Sequence, residues 1–359
     1  MFRGKTKFDI NIFNTMISPL FNHLLIPFLV AIFLAINMGG SGTAPSFSAA
    51  YGANIIRKGL IPGLFGIMVF IGAIAAGKDT ATTVGKDILS PDLMSFTLVS
   101  IILFSVAIAL LIANLLGIPQ STSQATVLSV TAPAVYFNTL NTDKLFFEIL
   151  PTWFVLPIIS FFICLLIGKY IYKPIRKRTY FFKNISKKPY IKAIVILMSL
   201  YVAFAIGANN VANAAGPIAS MTINELGIQD INDNFVLIMI LATLIVAPSF
   251  GIGSSFFGKK LAENTGKEIV LFGSIEAIII SFITASLLLM ASVIKGIPSS
   301  LVQLNTAAIL GIGVAKLGPR NIFKKTSVNK FFIVWLIAPV FAFALSLLLT
   351  YLADYYGLL

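Results

Sequence analysis

The sequence predicts an all-α, polytopic membrane protein built from two inverted-topology repeats with broken or re-entrant helices. Three observations predict it. Apolar residues come in blocks of roughly 20, the length that crosses about 30 Å of hydrocarbon. Charge is scarce: 11% of the 359 residues are charged and 58% are hydrophobic, with a mean hydropathy of +0.95, whereas soluble domains carry about 25% charged residues. Finally, a polar motif in the first half of the chain recurs in the second.

Ten spans are expected, at about 16–37, 60–77, 93–116, 121–138, 149–172, 190–207, 235–256, 269–294, 299–315 and 331–353. The first apolar run is too long for the core of a cleavable signal peptide. Residues 173–192 form the longest hydrophilic stretch, with Lys173, Arg176, Lys177, Arg178, Lys183, Lys187, Lys188 and Lys192 and no acidic residue. The excess of Lys and Arg in cytoplasmic loops puts this stretch on the cytoplasmic side of the cell membrane. The loops with Arg57 and Lys58, with Lys259, Lys260 and Lys267, and with Lys316, Arg320, Lys324 and Lys325 then fall on the same side. Those with Asp79, Asp87 and Asp92, and with Glu225, Asp230 and Asp233, fall outside. Arg3, Lys5 and Lys7 depart from the pattern, and residues 1–15 are read as an interfacial segment or a shift in the span count at this end.

The repeat is explicit. Gly117-Ile118-Pro119-Gln120-Ser121-Thr122-Ser123-Gln124 returns as Gly296-Ile297-Pro298-Ser299-Ser300-Leu301-Val302-Gln303, at an offset of 179. A weaker pair, residues 35–43 against 205–213, ends a span in each half with small and amide residues. Five spans per copy is an odd number, so the halves face opposite ways. The expected organisation is a first repeat over 1–172, a basic linker over 173–192 and a second repeat over 193–359. Inverted repeats of this kind hold their substrate near the bilayer midplane.

Segments 37–54, 117–131, 207–222 and 296–306 carry Gly, Ser, Thr, Asn, Gln and Pro at membrane depth. Such backbone survives in a bilayer only when it is buried in protein or lines a watery cavity. Freed backbone N–H groups, hydroxyls, carboxamides and helix N-termini together make an anion site without a formal cation. Helix packing through small residues is the competing explanation for any one segment. Four segments in two repeated pairs favour a substrate site.

Gly207-Ala208-Asn209-Asn210-Val211-Ala212-Asn213-Ala214 resembles the Gly-Ala-Asn-Asp-Val-Ala-Asn signature of the inorganic phosphate transporter (PiT) family. Pro119-Gln120-Ser121-Thr122-Ser123-Gln124 is similar to that family's Pro-Val-Ser-Thr-Thr-His segment, and 298–303 to its second copy. The resemblance covers nearly the whole chain and implies an inverted-repeat fold and symport of an inorganic anion with a cation. It also allows a homodimer, which no residue of the chain marks. The departures are informative: Asn210 and Gly40 stand where the family has aspartate, and Gln124 and Gln303 where it has histidine. Asn37-Met38-Gly39-Gly40-Ser41-Gly42-Thr43-Ala44 looks like the sulfate permease branch of the same family.

Chemistry points the same way. Sulfate at neutral pH only accepts hydrogen bonds, whereas hydrogen phosphate carries a proton that wants an acceptor. A buried carboxylate facing a dianion is costly, and the expected site contains none. Sulfate is therefore the expected substrate and phosphate the alternative. Ser41, Thr43, Ser121, Thr122, Ser123, Asn209, Asn213 and Ser300 are expected to line the site. Asn37, Gln124, Asn210, Gln303 and Asn305 are expected to support it or to occupy places that the resemblance assigns to ion ligands.

Moving a dianion into a negative cell costs about 2.3 kcal/mol per charge per 100 mV, so uptake needs a coupling cation. Glu276 is the acidic residue placed well within a span and is the expected proton carrier. Sodium, held by Asn and backbone oxygens, is the alternative coupling ion. No other cofactor and no metal is expected. An enzyme is disfavoured by a single histidine, His23, a single cysteine, Cys164, and the lack of paired intramembrane carboxylates. The formal charge of +13 lies mainly in short loops and sets topology, so no nucleic acid partner is expected. A passive anion channel is the remote alternative, and concentrative uptake separates the two.

Overall fold

The computed structural model describes residues 19–52, 55–118, 120–172, 188–228, 231–268, 273–324 and 326–359. Residues 1–15, most of the basic linker (173–187), and Pro119, Asp230 and Lys325 lie outside them. Helix dominates, and no strand occurs among the described residues. Eight helical stretches are long and apolar enough to cross a membrane. Exposed apolar side chains such as Phe154, Phe162, Leu336 and Ile337 give the outer helices faces suited to lipid, so the chain is an integral membrane protein.

In chain order the first half contains α1 (Pro19–Gly52), α2 (Ile61–Ala76), a short α3 (Lys78–Thr82), α4 (Phe96–Leu116), α5 (Thr122–Tyr136) and α6 (Leu150–Leu166). The second contains α7 (Pro189–Ile206), α8 (Ala212–Glu225), α9 (Ile231–Val246), α10 (Pro248–Glu268), α11 (Ser274–Leu289), α12 (Leu301–Leu317), a short α13 (Pro319–Phe323) and α14 (Thr326–Tyr355). The halves interlock by exchange. In one direction α6 of the first half lies along α12 of the second. In the other, α14 of the second lies along α5 of the first. The most extensive helix pairing joins α1 to α10.

Two of the four polar segments break their helices, and local chemistry explains how. Helix α4 starts at Ser95, whose hydroxyl accepts the Leu98 N–H, and ends at Gly117 with φ 74°. There Gly117 N–H reaches the Asn114 carbonyl and Ile118 N–H the Ala113 carbonyl, at 3.1 and 3.0 Å. This is a Schellman stop, which favours glycine for its left-handed backbone. Ser121 then caps α5 by accepting the Gln124 N–H at 3.3 Å. The second copy repeats the design. Gly296 has φ 61°, Ile297 N–H bonds to the Ala291 carbonyl at 2.9 Å, and Ser300 caps α12 by accepting the Gln303 N–H at 3.2 Å. Carbonyls near these breaks are satisfied from neighbouring helices: Trp153 Nε1 donates to the Pro298 carbonyl at 2.8 Å.

The breaks change two expected spans. Helices α5 and α12 have 15 and 17 residues, about 22 and 25 Å. Helix α5 is shorter than the span expected at 121–138, α12 is shifted by two residues from the one expected at 299–315, and each begins at a capped break.

The other two polar segments do not break. Residues 37–52 continue α1, which runs unbroken for 34 residues with Pro27 and Pro45 inside it. Its hydroxyls bond back onto their own helix: Ser41 to the Met38 carbonyl, Thr43 to Gly39 and Ser46 to Gly42, at 3.1, 2.7 and 2.9 Å. Its glycines serve close packing. A Cβ on Gly39 would lie 2.2 Å from the Phe250 carbonyl oxygen, and one on Gly253 would lie 1.8 Å from that of Ile36. Segment 207–222 passes through one wide π turn, Gly207–Val211, and continues as α8. The expected breaks at 37–54 and 207–222 are thus corrected to a packing seam and a helical bulge.

Candidate functional site

The capped N-termini of α5 and α12 converge on a narrow cavity of about 10 Å³. Gln120, Ser121 and Thr122 line it from the first break, and Ser300, Leu301 and Val302 from the second. Ser41 of α1 and Asn210 of the π turn close its sides. None of these residues carries a formal charge. Ser121 and Ser300 use an oxygen lone pair for capping, so the O–H of each remains to donate. Two helix N-termini add partial positive charge at one point.

Behind the cavity stand side chains that bond to one another. Gln124 and Gln303 face each other across the two halves and exchange hydrogen bonds at 2.9 and 2.8 Å. These are equivalent residues of the repeated motif, so this pair marks where the copies meet. The Asn209 carboxamide lies 2.9 Å from Ser123 Oγ and 2.7 Å from Ser292 Oγ. Turned so that its NH2 faces Ser123, the same group also pairs with the Ser299 carbonyl and N–H at 2.9 and 3.2 Å, and with Asn210 Oδ1 at 3.1 Å. Asn213 Nδ2 donates to Ser123 Oγ at 3.3 Å. The π turn thereby clamps both breaks: Asn209 holds the start of α5 with one side and the chain before α12 with the other.

The structure therefore sorts the expected site residues. Ser41, Ser121, Thr122, Ser300 and Asn210 come together at the cavity. Ser123, Asn209 and Asn213 sit one layer behind, joined in the clamp, with the Asn213 Oδ1 left without a partner; Gln124 and Gln303 form the inter-half pair. Asn37 ties α1 to α4: it donates to the Phe33 carbonyl at 2.9 Å, and Asn114 Nδ2 donates to its carbonyl and side-chain oxygens at 2.9 and 3.2 Å. Asn305 is buried on α12, outside the cavity lining. Thr43 lines a different cavity of about 340 Å³, with Lys58, Ser254 and Lys259.

Glu276 also stands apart from the cavity between the two breaks. It lies in the first turn of α11, 1% exposed, where it accepts the Gly273 N–H and pairs with Lys316 in the last turn of α12. A carboxylate at a helix N-terminus and a lysine at a C-terminus both suit the helix dipole. Asp79 is exposed at the start of α3.

Three residues were not singled out from the sequence. Ser292 and Ser299 join the Asn209 clamp, and their contacts are long-range ones that no local motif displays. Gln120 is the third. It sits inside the motif that located the site, but at one of the three positions where the repeated skeleton varies.

Helices interlocked across two halves, meeting at an uncharged cavity full of donors, define a membrane transporter of inorganic anions. The chain belongs to the phosphate transporter family, whose model matches residues 38–346. The sulfate permease CysP of Bacillus subtilis is 34% identical over 338 residues, covering 92% of this chain and 89% of its own. A putative phosphate permease of Thermococcus kodakarensis is 26% identical over 395 residues, covering 89% and 95%. A solved structure described as the sodium-dependent phosphate transporter superposes with a TM-score of 0.74 at 23% identity, over 93% of this chain and 99% of that one. That likeness establishes the fold.

Proposed function

We propose that this protein imports sulfate by cation symport across the cell membrane, its two halves inverted with respect to one another and the 173–192 linker in the cytoplasm. The observation that carries the reading is the lining of the central cavity: hydroxyls, carboxamides and two capped helix N-termini, with no carboxylate. The polar part of such a lining, beside Pro45, Ile206, Leu301 and Val302, offers donors to an ion that only accepts. The similarity to a sulfate permease over nearly the full chain supports the same substrate. Phosphate is the second reading. The unpartnered Oε1 of Gln120 favours it, because that oxygen could accept the proton of hydrogen phosphate.

The proposed coupling ion is the proton, with Glu276 as its carrier; sodium is the alternative. The test is accumulation of radiolabelled sulfate in proteoliposomes under an imposed pH or sodium gradient. Concentrative uptake driven by the pH gradient is the expected result, and purely downhill flux would make the protein a channel. Glu276→Gln is expected to abolish accumulation driven by the pH gradient while sparing sulfate exchange between the two sides. If that variant accumulates sulfate normally, the residue keeps only its capping and Lys316-pairing role.

A further inference from the structure

The two breaks share the skeleton Gly-Ile-Pro-x-Ser-x-x-Gln and differ at its three variable positions, the first of which precedes the capping serine. Before each capping serine the first copy has Gln120 and the second has Ser299. Ser299 is fully occupied: its hydroxyl donates to the Ile297 carbonyl at 3.3 Å, and its backbone groups lie within 2.9 and 3.2 Å of the Asn209 carboxamide. Gln120 is 1% exposed and lines the central cavity, yet neither its Oε1 nor its Nε2 has a hydrogen-bond partner. A buried carboxamide left unpaired on both sides is destabilising, and native proteins rarely keep one without a partner or a purpose. The Gln124, Gln303 and Asn209 amides are paired, Gln124 with Gln303 and Asn209 with Ser123, Ser292 and Ser299, and Asn213 lacks a partner only at its Oδ1. Gln120 is the lining amide left without a partner at both its oxygen and its nitrogen.

We propose that Gln120 is a direct ligand of the oxyanion, donating Nε2 to it, and that it sets the choice between an unprotonated and a protonated ion. This rests on the oxyanion reading of the cavity and adds a residue to it. The carboxamide is the longest uncharged donor among the polar side chains of the lining, and it stands at the α5 N-terminus beside Ser121 and Thr122. In the equivalent place on the α12 side a serine is tied into the clamp, so the two sides of the cavity hold the ion differently. A tetrahedral ion then meets hydroxyls from both breaks and a carboxamide from one. An NH2 group there rewards an oxygen without a proton. A carboxylate there would repel an all-acceptor dianion and tolerate an ion that can donate.

The experiment measures sulfate and phosphate uptake, each with its KM and maximal rate, for the native protein, Gln120→Leu and Gln120→Glu in proteoliposomes. Loss of one hydrogen bond to a charged ligand is expected to raise the sulfate KM of Gln120→Leu about 10- to 150-fold. Gln120→Glu is expected to lower the ratio of sulfate to phosphate uptake at neutral pH by about the same factor, with sulfate uptake partly restored as acidification protonates the introduced carboxyl. A structural role would lower the maximal rates for both ions together and leave the KM values and their ratio unchanged. That outcome overturns the proposal, as does native kinetics in Gln120→Leu. The native arm tests the underlying reading separately: a native protein that carries neither ion removes the oxyanion function itself.

Discussion

Gly253→Ala is expected to abolish recovery of folded protein, and Gly39→Ala to do so from the facing helix. The collisions are between backbones. The added methyl at 253 would sit 1.8 Å from the Ile36 carbonyl oxygen, and the one at 39 would sit 2.2 Å from that of Phe250. No side chain can turn away to make room, so α1 and α10 would have to separate along their whole seam. Overpacking in a soluble core costs about 1–3 kcal/mol when side chains can adjust, and this contact lacks that freedom. In lipid, moreover, helices are held together by close packing rather than by exclusion of water. The readout is the amount of monodisperse protein after detergent extraction and its melting temperature. Gly59→Ala is the control, since a Cβ there meets nothing within 4 Å. Native melting by Gly253→Ala would show that the α1–α10 seam is looser than described.

Asn210→Asp is expected to reduce sulfate uptake at neutral pH by a factor of 100 or more. Asn210 lines the cavity from the π turn, 6% exposed. A carboxylate there would meet a dianion at close range. At about 4 Å and an effective dielectric of about 20, each pair of unit charges interacts with about 4 kcal/mol, here repulsive. Since about 1.4 kcal/mol is tenfold in binding, a hundredfold loss needs only part of that. The sign of the pH dependence follows. Acidifying the medium protonates the introduced carboxyl, removes the repulsion and restores part of the uptake, whereas the native protein has no carboxylate at this place. The family resemblance puts an aspartate here, so the same variant also tests whether that carboxylate brings a sodium response. Undiminished sulfate uptake would remove Asn210 from the ion's surroundings.

Much of this was legible in the chain, for identifiable reasons. Apolar blocks and basic loops follow directly from bilayer thickness and charge placement, and they led to the helical membrane fold. The motif at 117–124 and 296–303 contains its own structural instructions: a glycine that ends a helix, then a serine that begins one. It therefore located the two breaks and the cavity-facing Ser121 and Ser300. The segment at 37–54 misled because small residues serve two purposes. Gly39 and Gly40 could have freed the backbone, but they let α10 approach instead, with Phe250 and Phe257 where their side chains would be. Which purpose applies depends on a partner about 210 residues away in the sequence. The same limit hid the role of Asn209, whose partners Ser123, Ser292 and Ser299 come from both halves, and the pairing of Glu276 with Lys316. Gln120 was in plain view, but a repeat draws attention to what is shared and not to the positions where the copies differ.

The most direct test of the central claim, that a carboxylate-free cavity of donors selects an unprotonated dianion, is competition between sulfate and phosphate for uptake by the native protein at neutral pH. Sulfate uptake that excess phosphate leaves untouched is the expected result. Phosphate uptake driven by sodium and indifferent to sulfate would contradict the claim: Asn210, Gln124 and Gln303 would then do the work of the family's charged residues on a protonated ion, within the same fold.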